Sequence, residues 1–174
     1  LDQPRRLAMN ALYAFCREVD DVADEETVPV AERRAALAEW RADIQRACEG
    51  GQPENPVIRE LQPSIKRYGL SLDHFHELLK GIEGDLDADR CETFKELDQY
   101  CYRVASIVGL LSIEIFGYRN DDCQHYAVHL GKALQLTNIL RDVANDAQRN
   151  RIYLPVEGME KFGVDPESLL ALKY

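Results

Sequence analysis

The sequence predicts an all-α fold, and three observations carry that expectation. Apolar residues recur at helical steps, residues that open helices stand at the right places, and no set of alternating β-branched strands appears. Over 30–48, Ala36, Leu37, Trp40, Ile44 and Ala47 line one helical face. Breaks are expected at Pro29, the Gly50-Gly51-Gln52-Pro53 cluster, Pro63, Gly69, Arg90–Thr93, Gly117 and Pro155. Ser71 is placed to cap a helix running to the mid-80s. Thr93 with Glu96 forms a capping-box pattern ahead of a long helix that reaches Gly117. Asp121 opens the next helix, to the region of Asp146. Asp165 followed by Pro166 reads as a cap and first helical position. The count is about seven helices with short connections.

The chain has 174 residues, expected as one helical domain over 1–174. Its 21 basic and 31 acidic residues leave a net charge of −10, which argues against a nucleic-acid partner. With 45% hydrophobic and 30% charged residues, the composition is that of a folded chain. No apolar run approaches the ~18 residues of a membrane span. Leu1-Asp2-Gln3-Pro4 does not read as a signal peptide. Cys16, Cys48, Cys91, Cys101 and Cys123 are odd in number and lack C-x-x-C spacing, so reduced thiols and a cytoplasmic setting are expected.

Two acidic stretches stand out. In the first, Asp20 and Asp24 are helical neighbours, with Arg17 and Tyr13 continuing the stripe backwards. Six of the nine residues from Glu18 to Glu26 are acidic, and such crowding weakens a helix unless something offsets it. In the second, Gln135, Asn138, Asp142 and Asp146 share one face, and every one offers oxygen. Leu134, Leu136, Ile139 and Leu140 flank them, which predicts an apolar setting for the start of this stripe. Two carboxylate pairs on two helices suit a hard divalent cation such as Mg²⁺, which takes oxygen ligands and keeps part of its coordination for phosphate. Arg149 and Arg151 follow, and guanidinium groups fork onto phosphate oxygens, so a polyphosphate ligand is expected. The bland alternative is a pair of solvated acidic faces.

Between these lies the most apolar segment, 100–112. Its small residues Ala105, Gly109 and Ser112 leave either close helix contact or room for an apolar ligand. Tyr100 stands one turn before Val104 and is placed to shield a cation or to pack in the core. His74, His76, His125 and His129 read as surface or packing residues.

These residues resemble the squalene/phytoene synthase family of trans-prenyl transferases. ALYAFCREVDDVADE (11–25) resembles its first signature and LQLTNILRDVANDAQRNRIYLP (134–155) its second. YCYRVASIVGLLSIEIFGY (100–118) is similar to its central helix. Within the family the chain looks most like the bacterial presqualene diphosphate synthases of the hopanoid and squalene pathway. The resemblance implies an isoprenoid-synthase helical bundle with a central cavity. It implies Mg²⁺-dependent head-to-head condensation of two farnesyl diphosphates to presqualene diphosphate, with release of diphosphate. By position, Asp20 and Asp24 would bind Mg²⁺ on one diphosphate, and Asp142, Asp146 and Asn138 would serve the other. Arg17, Arg141 and Arg151 would hold phosphate oxygens, with Gln135 beside the metals and Tyr13 on the same stripe as Arg17. Tyr100 would sit near the reacting carbons, and Val104, Ala105, Val108 and Gly109 would border a prenyl pocket.

Asn145 departs from the glutamate frequent in the second signature. Leu1 falls partway into the family pattern and Tyr174 precedes the family's C-terminal helices. The piece is therefore expected to lack both ends of the family domain and to be a poor catalyst alone. The acidic motifs do not separate farnesyl from geranylgeranyl diphosphate, so phytoene synthesis stays open. So does reduction to squalene, which needs NADPH; no glycine-rich dinucleotide fingerprint appears. A non-catalytic helical interaction protein is the alternative from another class. A lipid diphosphate substrate also implies peripheral membrane contact, although no strongly basic amphipathic helix supports an anchor.

Overall fold

The computed structural model describes residues 1–87 and 90–173. Helix α1, Gln3–Asp24, begins where the Asp2 side chain accepts the Arg5 amide hydrogen at 3.0 Å, with a proline in its first turn. Ala8, Ala11, Leu12, Phe15, Val19 and Ala23 recur along its buried stripe. Helix α2, Val30–Cys48, follows Pro29. Helix α3, Pro56–Tyr68, is opened by Asn55 and closed by Gly69 in the left-handed region at φ 66°. Helix α4, Leu72–Gly84, follows Ser71, whose hydroxyl makes no capping bond although its backbone is extended. Helix α5, Phe94–Cys101, has the reciprocal Thr93–Glu96 capping box that the sequence predicts. A π-helical turn, Tyr102–Ser106, joins it to α6, Ile107–Phe116. Helix α7, Asp122–Gln148, outruns the expected end, and Asp121 precedes it without a side-chain cap bond. Two short helices complete the described residues: α8, Val156–Phe162, and α9, Pro166–Leu170, the latter capped by Asp165.

The all-α expectation holds. Among the described residues the only strand-like contact is a parallel bridge between Arg90 and Ile152. One expected break is corrected: Pro63 lies inside α3. An interior proline costs about 3 kcal/mol through a lost hydrogen bond and a ring clash. Ile58, Leu61 and Ile65 of the same helix are buried, and burial of each such side chain returns roughly 1.5–3 kcal/mol. Tertiary packing therefore outweighs the local penalty.

Phe15 is fully buried at the centre of the main core, edge-to-face with Trp40 at 5.6 Å and with Phe75 at 5.2 Å. Leu37 and Ile44 of α2, Leu61 of α3, Leu79 of α4 and Leu111 of α6 close around it. Asp43 is buried on α2 and accepts the amide hydrogens of Glu54 and Asn55, which ties α2 to the start of α3. Helix α7 packs on the π turn and on α6. A smaller cluster of Leu97, Cys101 and Ile139 joins α5 to α7, and Ile152, Met159 and Leu169 hold the last helices. All five cysteines are free thiols. Among the described residues no helix is long and apolar enough to cross a membrane.

Candidate active site

Both acidic motifs fall at helix C-termini. Asp20 and Asp24 end α1, Asp142 and Asp146 lie near the end of α7, and neither helix has a basic residue in its last turn. The negative end of the helix dipole opposes carboxylates there. The chain supplies the offsetting charge from outside the helices. After α7, Asn150 turns the backbone through the left-handed region at φ 58°. The amide groups of Arg149 and Arg151 both donate to the Asp146 carbonyl at 2.9 Å. That turn sends both guanidinium groups to the first motif. Arg151 Nη1 lies 3.0 Å from Asp24 Oδ1, and Arg149 Nη1 lies 3.7 Å from Asp24 Oδ2. The loop is pinned from its far side, where Cys91 donates to the Ile152 carbonyl and Val156 to the Cys91 carbonyl.

Beside this junction is a cavity of about 280 Å³ whose wall includes Gly84, Asp85, Tyr100, Arg103, Arg151 and Tyr153. The Tyr100 hydroxyl donates to Asp85 Oδ2 at 3.1 Å, and its ring stacks on Tyr153 at 5.2 Å and 23°. Burial pushes the Asp85 carboxyl up to about 7; the Asp24 and Asp20 charges add to this, while the Tyr100 bond and Arg151 oppose it. Asp20 is pushed up to about 6, first by partial enclosure and then by Asp24, with Arg17 opposing. Asp146 is raised by burial and by Asp142, and the Asp24 charge reaches it across the junction. Burial works against the Arg151 charge, but the bond to Asp24 more than offsets it. Burial and the adjacent Asp85 hold the Tyr100 phenol well above its ordinary range, so it stays a hydroxyl donor. Crowded oxygen donors whose carboxyls resist ionising are what a hard cation relieves.

The structure brings Asp20, Asp24, Asp146, Arg151 and Tyr100 to this region. Other expected residues stand elsewhere or are engaged. Arg17 pairs with Asp21 at 2.7 Å. Tyr13 is 70% exposed. Arg141 forks onto its neighbour Asp142, at 2.8 and 2.6 Å, and holds that carboxyl below its ordinary value. Gln135 and Asn138 are half-buried on α7. The expected apolar setting of the second stripe is corrected: Leu134, Leu136 and Leu140 are exposed, and only Ile139 among the flanking residues is buried. That face of α7 has no described helix packed on it to bury the leucines.

Val104, Ala105, Val108 and Gly109 do not line this cavity. Val108 packs on the main core, and a Cβ at Gly109 would stand 3.0 Å from the Ala127 carbonyl oxygen of α7. Of the two readings open for the small residues, close helix contact is what Gly109 makes. Among the described residues no three His, Cys, Asp or Glu side chains converge on one metal position.

Sequence reasoning missed Asp85 and assigned no role to Tyr153. The only signal for Asp85 is its place in an acidic loop after Gly84, and loop acids are ordinarily solvated.

The squalene/phytoene synthase family model matches residues 1–173. The chain belongs to that family. It is 45% identical over 175 residues to a presqualene diphosphate synthase of Rhodopseudomonas palustris, covering 98% of this chain and 62% of that protein. It is 36% identical over 181 residues to a 15-cis-phytoene synthase of Synechocystis, covering 95% of this chain and 52% of the relative. A crystal structure of a squalene synthase from Alicyclobacillus acidocaldarius superposes with a TM-score of 0.87 at 32% identity, over 96% of this chain and 62% of that one. The chain thus spans just over half to about three fifths of these family members, and the fold is that of squalene synthases.

Proposed function

We propose that the protein is a prenyltransferase that condenses two farnesyl diphosphates head to head into presqualene diphosphate, releasing one diphosphate and a proton. The observation that carries this reading is the junction of the two acidic motifs. Asp24 is bridged to Arg149 and Arg151 beside a cavity holding Tyr100 and Asp85. Similarity to a presqualene diphosphate synthase at 45% identity supports the farnesyl substrate over the C20 substrate, since the phytoene synthase relative stands at 36%.

Asp20 and Asp24 would hold Mg²⁺ on one side, and Asp142, Asp146 and Asn138 on the other. Bound Mg²⁺ supplies charge stabilisation to the departing diphosphate. The chain's own groups do the rest. Arg151 and Arg149 exchange part of their pairing with Asp24 for phosphate oxygens, forking onto charge that grows as the C–O bond breaks. Tyr100, held by Asp85 and stacked on Tyr153, presents an aromatic face and a fixed hydroxyl beside the reacting carbons. Leu97 and Ile152 in the wall would limit water beside the allylic cation.

The test is product identification. Protein expressed from its full natural gene is incubated with farnesyl diphosphate and Mg²⁺, with and without NADPH, and products are read by mass spectrometry. Presqualene diphosphate in both conditions is expected. Squalene only with NADPH makes the protein a complete squalene synthase. Phytoene from geranylgeranyl diphosphate, with nothing from farnesyl diphosphate, moves it to the C20 reaction. No product from either substrate refutes the enzymatic reading.

A further inference from the structure

The π turn at Tyr102–Ser106 separates two helical segments with different tasks. A π turn inserts one residue, so the faces before and after it are offset by about 100° from a continuous α-helix. On α5, Leu97 and Cys101 join the small cluster with Ile139 while Tyr100 reaches the cavity. On α6, Ile107, Leu111 and Ile115 are buried in the main core. The turn reconciles the register of the core with that of Tyr100.

Two glycines hold the turn from opposite sides. On α7, a Cβ at Gly131 would lie 2.6 Å from Ser106 Cα, 2.7 Å from Ser106 N and 2.9 Å from Ala105 C, all of them backbone atoms of the turn. On α4, a Cβ at Gly81 would lie 2.7 Å from Arg103 Cβ and 2.9 Å from Val104 Cγ1. No side chain fits at either place without moving the turn. Ser106 is fully buried, and its hydroxyl donates to the Val128 carbonyl of α7 at 2.7 Å. Arg103, within the turn, donates to Glu77 of α4 at 3.0 Å.

We propose that Gly131 is a positioning residue for the condensation. By seating the α7 backbone directly on Ser106, it fixes the π turn, and through the turn it sets Tyr100 against Asp85 and Tyr153. The catalytic part of this inference rests on the prenyltransferase reading; the structural part does not. Gly131 does not itself line the cavity, so its effect on the reaction passes through the turn to the wall residues the turn carries or adjoins, Tyr100 and Arg103.

The test uses protein labelled with ¹³Cζ-tyrosine, with the Tyr100 signal assigned by Tyr100→Phe. Gly131→Ala forces a shift of the turn, and Ser106→Ala removes its bond to Val128 without overlap, so the second variant decides if the first does not fold. In both, the Tyr100 resonance is expected to move toward its position in Asp85→Asn. The kcat with farnesyl diphosphate should fall by about 100-fold in Gly131→Ala and about 10-fold in Ser106→Ala, with KM within about twofold. In a Tyr100→Phe background the added loss should shrink below about threefold. An unmoved Tyr100 resonance in folded Ser106→Ala overturns the proposal, as does an equal loss with and without the Tyr100 hydroxyl. If the parent protein yields no product, the prenyltransferase reading fails separately, and the resonance still decides whether Gly131 positions Tyr100.

Discussion

Replacing Asp85 with asparagine should stabilise the metal-free protein at neutral and alkaline pH while impairing the site. Burial, reinforced by Asp24 and Asp20, raises this carboxyl from 3.8 to about 7 in the folded chain. Between those values the native state keeps a proton that the unfolded chain has released, so stability falls as pH rises through the window and levels off above about 7. At about 1.36 kcal/mol per pKa unit the full penalty is on the order of 4 kcal/mol, and water at the cavity mouth reduces it to roughly 2–4 kcal/mol. An asparagine at 85 carries no charge and keeps an oxygen for the Tyr100 hydroxyl. Urea unfolding of both proteins in chelator, at about pH 4, 6 and 8, measures the difference at constant m-value. The variant should gain roughly 2–4 kcal/mol near pH 8 and almost nothing near pH 4. No gain near pH 8, or an equal gain at every pH, would refute a strained carboxylate at this position. Carboxyls perturbed by burial and neighbouring charge cluster at functional sites, and Asp85 stands in the wall of the candidate cavity.

Three further outcomes follow from the same geometry. Asp20→Ala and Asp142→Ala should each lower product formation by at least about 100-fold with helix content unchanged by circular dichroism; full activity in either sinks the metal assignment. Arg151→Ala should weaken Mg²⁺-dependent binding of farnesyl thiodiphosphate by about tenfold or more in calorimetry, because it removes a forked phosphate partner, and unchanged affinity would exclude that role. Mg²⁺ with the same analogue should raise the melting temperature, and the rise should shrink as pH falls through about 6, where Asp20 takes up its proton. A rise independent of pH over that range would show that Asp20 is not a ligand.

The site combines two requirements that ordinarily conflict. The proposed reaction asks for an acidic pair at the end of α1 and another near the end of α7, yet the fold must be stable before any ligand binds. Arg149 and Arg151 are counter-ions to Asp24 in the free protein, and under the proposed prenyltransferase reading they are the groups that would turn to phosphate. Arg141, by contrast, is exposed and forked onto Asp142 by two hydrogen bonds, and under that reading it would have to break the fork to reach a phosphate.

What the sequence determined is what depends on near neighbours. The Thr93–Glu96 box, the Asp165-Pro166 start and the helical spacing of Leu37, Ile44 and Ala47 are all set within a few residues of one another. The acidic pairs were legible for the same reason, since helix spacing alone puts Asp20 beside Asp24. Distant contact decided the rest. Pro63 continues a helix because Leu61 and Ile65 are buried by other helices. The π turn exists between Gly81 and Gly131, residues that look unremarkable in their own segments. Asp85 became a member of the site only when the fold closed it against Tyr100 and within reach of Asp24 and Arg151. Burial and the field of distant charges change a side chain's chemistry, and both are properties of the packed chain rather than of local spacing.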